Sequence, residues 1–383
     1  MSAAAQAVMA REGLQGLIDA LIAHGYRTLG PRIRDGAIVY DELSHVSQLP
    51  AGWTDRQDAG RYHLRRRADD AWFGFTVGPH SWKRFLRPPV EPLWSAQRNG
   101  DGFTVVTPDR SVPREAFIGV RACELQAIAI QDRVFCAGRY PDDTYRKRRA
   151  STFLIAVNCA EPGGTCFCRS MGTGPRATAG FDLSLTELAA STPPVFLVEI
   201  GSDAGARVLQ AVPSRAPTGP ELSDARAQIE RAAARMGRAL DSERIRHALR
   251  ENPEHPRWDE IAGRCLSCGN CTMVCPTCFC TSLEDHGSLD GATAERVRVW
   301  DSCFTLDFSY LHGGSVRHST RARYRQWMTH KLSYWFDQFG TCGCVGCGRC
   351  ITWCPAGIDM TEEAAALSLP PQARKADAAH ESP

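Results

Sequence analysis

Two cysteine runs in the last third of the chain carry the clearest chemistry. The first reads Cys265-Leu-Ser-Cys268-Gly-Asn-Cys271-Thr-Met-Val-Cys275-Pro276. The second reads Cys344-Val-Gly-Cys347-Gly-Arg-Cys350-Ile-Thr-Trp-Cys354-Pro355. Both follow C-x2-C-x2-C-x3-C-P, the spacing with which bacterial ferredoxins hold [4Fe–4S] clusters. Three thiolates at such short steps wrap one cube of iron and sulfide. The fourth, followed by proline, points away and reaches the other cube. This spacing assigns one cluster to Cys265, Cys268, Cys271 and Cys354, and a second to Cys344, Cys347, Cys350 and Cys275. The competing reading is a pair of zinc sites, since paired C-x2-C steps also bind zinc. Zinc needs four ligands, and a third cysteine at the same step plus C-P adds nothing for it. Cys342 also precedes the second run, but only Cys344 opens the x2 steps.

Length and composition narrow the class. A chain of 383 residues is expected to form two or three domains with a sizeable core. A net charge of +2 with 23% charged residues argues against a general nucleic-acid binder. The 17 cysteines are many for this length, and an odd total suits ligands better than paired disulfides. Thiolate ligands are at home in a reducing compartment, so a cytoplasmic location is expected. No signal peptide is expected from the first ten residues, and no apolar run is long enough to span a membrane.

The elements that must position these groups follow in chain order. Leu14, Leu17, Ile18, Leu21 and Ile22 repeat at helical spacing, with Gly25 as a stop. Residues 26–43 turn strand-like around Ala37, Ile38, Val39 and Tyr40. Residues 61–95 interleave Arg61, Arg65, Arg66 and Arg67 with Tyr62, Trp72, Phe73, Phe75, Trp82 and Phe85. Such a mixture can bind nucleic acid or dock on an acidic partner. The plainer reading is a solvated face over a core. Ala116–Val120 and Phe153–Val157 read as buried strands, with a helix from Glu124 to Phe135 between them. That is a β–α–β unit with parallel strands, and ligands collect at the carboxyl ends of such strands.

Cys123 and Cys159 fall at those two ends, and Cys166 and Cys168 lie in a glycine-rich loop just after. Cys123 also opens a helix, where the dipole is expected to favour the thiolate. Cys123, Cys159, Cys166 and Cys168 are therefore candidates for a third [4Fe–4S] cluster. The alternative is four buried free cysteines, a common core residue. Cys136, Cys278, Cys280 and Cys303 receive no role, although Cys278-Phe-Cys280 repeats the triplet at 166–168.

Beyond a strand at 194–200, Pro213, Pro217 and Pro220 mark a linker. Helical repeats follow at Leu222–Leu240 and from Asp241 or Ser242, closed by Pro253 and Pro256. The insert between the two cysteine runs carries Tyr324, Met328, Leu332, Trp335 and Phe339 at helical spacing, preceded by Ser319 or Thr320 and followed by Gly340. The expected class is α+β: a mixed α/β domain over 1–245, with a candidate iron–sulfur site of its own, and a helical two-cluster ferredoxin-like domain over 246–365. A disordered tail is expected over 366–383.

Nothing here binds NAD or ATP by a recognisable device. No G-x-G-x-x-G follows a strand, no P-loop occurs, and no Arg-x-Cys-Gly-type nickel site is present. No catalytic residue is assigned, and the expected role is to carry electrons between partner subunits. The chain resembles the β (iron–sulfur) subunit of cytosolic NAD(P)-linked nickel–iron hydrogenases of the sulfhydrogenase type, and the related A component of anaerobic sulfite reductases. The carriers are Gly78-Pro-His-Ser-Trp-Lys83, Gly119-Val-Arg-Ala-Cys123-Glu-Leu, Asp142 to Tyr145, Asn158-Cys159 with Cys166-Phe-Cys168, Cys265 to Cys280, Trp300-Asp-Ser-Cys303, and His330-Lys331 leading into the second run. The resemblance implies a place between a diaphorase subunit, which binds flavin and NAD(P)H, and the small and large subunits of a nickel–iron hydrogenase. The alternative it leaves open is a sulfite reductase-type complex passing electrons to a sirohaem subunit. Glu124 stands where aspartate is expected. Arg349, inside the second run, is expected either to offset an anionic cluster or to face solvent.

Overall fold

The run from Ala116 to Val120 and the run from Phe153 to Val157 are buried along their whole lengths, as central strands covered on both faces must be. The computed structural model describes residues 5–107 and 111–370, and it places these runs in the middle of a mixed eight-stranded sheet. The strands are β1 (Gln6–Ala10), β2 (Arg27–Arg34), β3 (Ala37–Glu42), β4 (Trp53–Asp58), β5 (Arg61–Arg66), β6 (Val90–Asn99), β7 (Gly102–Val106), β8 (Glu115–Val120), β9 (Thr152–Val157), β10 (Leu183–Leu188), β11 (Val195–Ile200), β12 (Ser214–Arg215), β13 (Thr281–Gly287) and β14 (Thr293–Trp300). The helices are α1 (Gly13–Ala23), α2 (Lys83–Leu86), α3 (Ala122–Cys136), α4 (Asp143–Ala150), α5 (Asp203–Leu209), α6 (Gly219–Ala234), α7 (Ser242–Glu251), α8 (Arg257–Arg264), α9 (Asn270–Met273), α10 (Thr320–Thr329), α11 (Trp335–Phe339), α12 (Arg349–Thr352) and α13 (Met360–Leu367).

The large sheet has the order β12-β1-β11-β10-β9-β8-β2-β3. Neighbours from β2 through β8 and β9 to β10 run parallel, and the outer pairs run antiparallel. One face is covered by α1, which buries Leu14, Leu17, Ile18 and Leu21 and ends at Gly25, whose φ of 78° closes the helix. The other face carries α3, with Leu125 and Ile128 beside a stack of Tyr40, Trp82 and Phe117 at centroid spacings of 3.9 and 4.6 Å. The arginine-aromatic stretch divides as a solvated face over a core should. Phe73, Phe75 and Trp82 are buried, while Arg61, Arg65 and Arg66 stand exposed on β5.

A second core gathers the C-terminal half around Trp258, Phe304, Tyr324, Trp327 and Leu332. Leu240, Ile245 and Leu249 join it, so α7, which crosses residue 246, packs with the cluster half. The insert is not purely helical. Its first part is the β13–β14 hairpin, which lies antiparallel against β6 in a second sheet of order β13-β14-β6-β7. Only that partner strand from the other half makes the hairpin useful, which is why helical periodicity alone did not predict it. The expected helix over 324–339 is present, as α10, a π-helical turn (His330–Tyr334) and α11, and it begins at the Ser319 cap. The class is α+β, with the α/β sheet region first and the two-cluster region after it. Helix α13 runs on to Leu367, and the tail from 371 to 383 lies outside the described residues.

Candidate iron–sulfur centres

The two cysteine runs fold alike. Ser267 and Gly346 both sit in the left-handed region, at φ 52° and 65°, and Gly269 and Gly348 follow at 72° and 76°. Each pair turns the chain so that a one-turn helix follows, α9 in the first run and α12 in the second. In each run the residue two beyond the first cysteine donates its N–H to that sulfur: Ser267 to Cys265 and Gly346 to Cys344, both at 3.4 Å. The Ile358 N–H does the same for Cys354 at 3.4 Å. N–H donors aimed at sulfur are what an anionic iron–sulfur cube uses to stabilise its charge.

Cys265, Cys268, Cys271 and Cys354 line one pocket walled by Phe304, Tyr324, Trp327 and Ile358. Burial pushes the Cys271 thiol well up, and the thiols of Cys265, Cys354 and Cys268 push it further, ahead of Cys275. Burial does the same to Cys350, seconded by Cys344, Cys347 and Cys275, with Cys271 last. Soft thiol donors around an apolar pocket are the donor set that an iron–sulfur cube takes. Among the described residues, no three His, Cys, Asp or Glu side chains close on a point that would hold a single metal ion. The first-set thiols border a pocket instead.

The N-terminal thiols meet as the parallel strands direct. Cys123 opens α3 at the end of β8, and Cys159 follows the end of the neighbouring β9. Cys168 feels Cys166, Cys159 and Cys347, and Cys123 feels Cys168, Cys347 and Cys159. Cys166 reaches the Cys347 carbonyl with its thiol at 3.9 Å. Two glycines of the second run make this contact possible. A Cβ on Gly346 would stand 2.6 Å from the Cys168 nitrogen, and one on Gly348 would stand 2.4 Å from the Thr165 carbonyl oxygen. The expected dipole effect on Cys123 is outweighed, because burial drives its thiol well above the ordinary range. Arg121, 2% exposed, spans the carbonyls of Phe73 and Phe75 at 2.9 and 2.7 Å and hydrogen-bonds the Cys159 sulfur. It is a buried cation beside the Cys159 thiol.

Two further cations face the second set. Lys331, 2% exposed, donates from Nζ to the Cys275 sulfur at 3.3 Å, to Thr277 Oγ1 at 3.1 Å and to the Gly343 carbonyl at 3.1 Å. Burial works against its charge, and the sulfurs of Cys275, Cys278 and Cys344 overcome that, so Lys331 is held as ammonium. Its bare position in the insert gave no signal of this role, since the π-helical turn alone aims it inward. Arg349 does not face solvent. It is 1% exposed, ion-paired with Glu124, and it donates from Nε to the Gly78 carbonyl at 2.9 Å and from Nη2 to the His80 carbonyl at 2.8 Å. Glu124 thus anchors the second run to the α/β half. Thr352 and Thr165 join across the same seam at 2.7 Å between hydroxyls. Cys136 lies at the end of α3 beside Asp132, Arg146, Arg149 and Asp142, and Cys342 turns its thiol to the Lys331 carbonyl at 3.7 Å.

Comparison with known proteins agrees with this chemistry. Residues 264–358 match the 4Fe-4S dicluster domain family. The chain is 32% identical over 287 residues to the sulfhydrogenase 2 subunit beta of Pyrococcus furiosus, covering 72% of this chain and 79% of that protein. It is 26% identical over 119 residues, 31% of this chain and 8% of the other, to a putative pyruvate-flavodoxin oxidoreductase of Synechocystis. No solved structure matches. No helix among the described residues is long and apolar enough to cross a membrane. With a dicluster domain, paired cysteine runs and a relative of this identity over most of both chains, the protein belongs to the family of sulfhydrogenase β subunits and is an iron–sulfur electron-transfer subunit that holds [4Fe–4S] clusters.

Proposed function

We propose that this chain carries electrons between a subunit that binds flavin with NAD(P)H and a nickel–iron hydrogenase core. The observation that carries the reading is a continuous row of thiol sets. It starts at the exposed Cys268, passes from Cys271 to Cys275 and Cys350, and continues from Cys347 to Cys123, Cys159, Cys166 and Cys168. The proposed ligands are Cys265, Cys268, Cys271 and Cys354 for the first cluster, Cys344, Cys347, Cys350 and Cys275 for the second, and the four N-terminal thiols for a third. When bound, such clusters supply one-electron carriage at potentials set by charge, hydrogen bonds and burial. The chain's own part is to keep water away with Phe304, Tyr324 and Trp327 and to aim Arg121 and Lys331 at sulfur. Cys268 and Leu266, the latter 67% exposed, open the first set to a docking partner at the surface.

Iron and acid-labile sulfide per chain, with low-temperature EPR on anaerobically purified protein, test this reading. About twelve irons support three sets, and about eight reduce the row to the two C-terminal sets. Zinc without iron refutes it.

A further inference from the structure

Three cysteines outside the proposed ligand sets, Cys278, Cys280 and Cys303, gather at the base of the β13–β14 hairpin. Thr281 pairs with Trp300, and the Asp301 N–H donates to the Cys280 carbonyl at 3.0 Å. The chain then turns back at Ser302, whose hydroxyl accepts from the Phe304 N–H at 3.1 Å and whose carbonyl accepts from the Thr305 N–H at 2.9 Å. This turn delivers Cys303 to Cys280. The Cys280 sulfur accepts hydrogen bonds from both the thiol and the backbone N–H of Cys303. The two sulfurs are already neighbours, held by a hairpin rather than by a mobile loop.

Buried cations line the base of the hairpin, Arg87 at Cys280 and Lys83 at Cys278. Arg87 is 2% exposed and donates from Nη2 to the Cys280 carbonyl at 3.3 Å, yet its Nε and Nη1 meet no acceptor among the described residues. Lys83, 5% exposed, donates to the Cys278 carbonyl at 3.2 Å and lies 4.0 Å over the Trp300 ring. A buried guanidinium with idle N–H groups calls for an anion. The Cys303 hydrogen bonds, with Arg87 and Lys331 behind them, hold the Cys280 thiol down to about 7, against the pull of burial. A thiolate beside a thiol is the form that exchanges with a disulfide.

We propose that Cys280 and Cys303 are a redox-active dithiol that releases two electrons by closing to a disulfide and takes them back on opening. On closing, the Cys280 thiolate and the Cys303 thiol form one S–S bond, the Cys303 S–H bond breaks, and its proton leaves to solvent. The two electrons pass one each to two oxidised [4Fe–4S] clusters of this chain. On opening, two electrons return singly from reduced clusters, the S–S bond breaks and Cys303 regains a proton. The placement suits this exchange: Cys303 lies near Cys271 of the first set, and Cys278 hydrogen-bonds Cys275 of the second. The proposal rests on the cluster reading only for its electron partner. The pair gives a one-electron wire a two-electron store.

The test uses the anaerobic holoprotein equilibrated in glutathione buffers of graded potential, quenched in acid and alkylated. Peptide mass spectrometry then reads the two cysteines. The expected result is a Cys280–Cys303 cross-link at oxidising poise that opens at reducing poise. In addition, titration with reduced methyl viologen should consume about two more equivalents per chain in the wild type than in Cys303→Ser, with iron content the same in both. Both thiols remaining alkylatable at every potential overturns the proposal. So does a loss of about four irons per chain in Cys280→Ser or Cys303→Ser, which would make them ligands. The wild-type cross-link needs no variant, so a poorly folding mutant does not spare the proposal. A protein without iron that still cross-links would sink the cluster reading and leave the dithiol standing.

Discussion

Replacing Lys331 by methionine removes a positive charge that stands 3.3 Å from the Cys275 sulfur. Reduction adds one negative charge to the cluster that Cys275 is proposed to ligate. With roughly 6 Å between the ammonium and the centre of that charge, and an effective dielectric of about 20, the lost attraction is about 3 kcal/mol. At a dielectric of about 80 it is about 0.7 kcal/mol. A factor of ten, about 1.4 kcal/mol, is 59 mV for one electron, so the midpoint of that cluster is expected to fall by ~30–120 mV. The lost N–H···S hydrogen bond acts in the same direction. Methionine keeps the apolar stem that fills the site, so packing is largely retained. The assay is an EPR-monitored redox titration of wild type and variant at one ionic strength. A signal that shifts upward, or by less than about 10 mV with iron content retained, refutes the electrostatic reasoning.

Other perturbations probe the supports of the sites. Arg349→Met leaves Glu124 buried without its cation, with both side chains 1% exposed and, among the described residues, only the Trp82 N–H still donating to its carboxylate, and is expected to cost about 3–5 kcal/mol in denaturant unfolding; adding Glu124→Gln should recover part of that loss, and a single variant as stable as wild type would refute the pairing. Gly346→Ala forces a side chain into the left-handed region and against the Cys168 backbone, so a loss of about 2–5 kcal/mol is expected in thermal melts, and an unchanged Tm would count against the close contact of the two loops. His80 is pushed down to about 4 by burial and by Arg84 and Arg349. The unfolded chain takes up that proton below about pH 6.5 and the folded one resists until about 4, so this contribution to stability falls as pH drops through that window. His80 is only half-buried, which limits the effect to ~1–2 kcal/mol. His80→Gln should lose less stability on acidification than wild type, and parallel curves would refute the assignment.

Much of the centre was legible because its signals are local. The C-x2-C-x2-C-x3-C-P spacing constrains three ligands within a few residues, and the burial of β8 and β9 is written in their unbroken apolar runs. The convergence of Cys123 and Cys159 followed from the same strands, since parallel neighbours carry their carboxyl ends to one side. The hairpin at 281–300 was missed because its partner, β6, lies in the other half of the chain. The roles of Lys331 and Arg349 were hidden or left open for a similar reason. A cation's worth depends on whether it is buried and on what it faces, and neither is a local property.

Residue types and spacing alone therefore determined the metal chemistry, the two ferredoxin-like runs and the parallel strands that end at Cys123 and Cys159. Only the tertiary structure decided which groups tune that chemistry. It brought Gly346 against Cys168, drew Glu124 to Arg349, turned Lys331 onto Cys275 and set Cys303 against Cys280. Each of these contacts joins residues far apart in sequence through close packing or a buried charge, and such energies exist only once water has been excluded from between them.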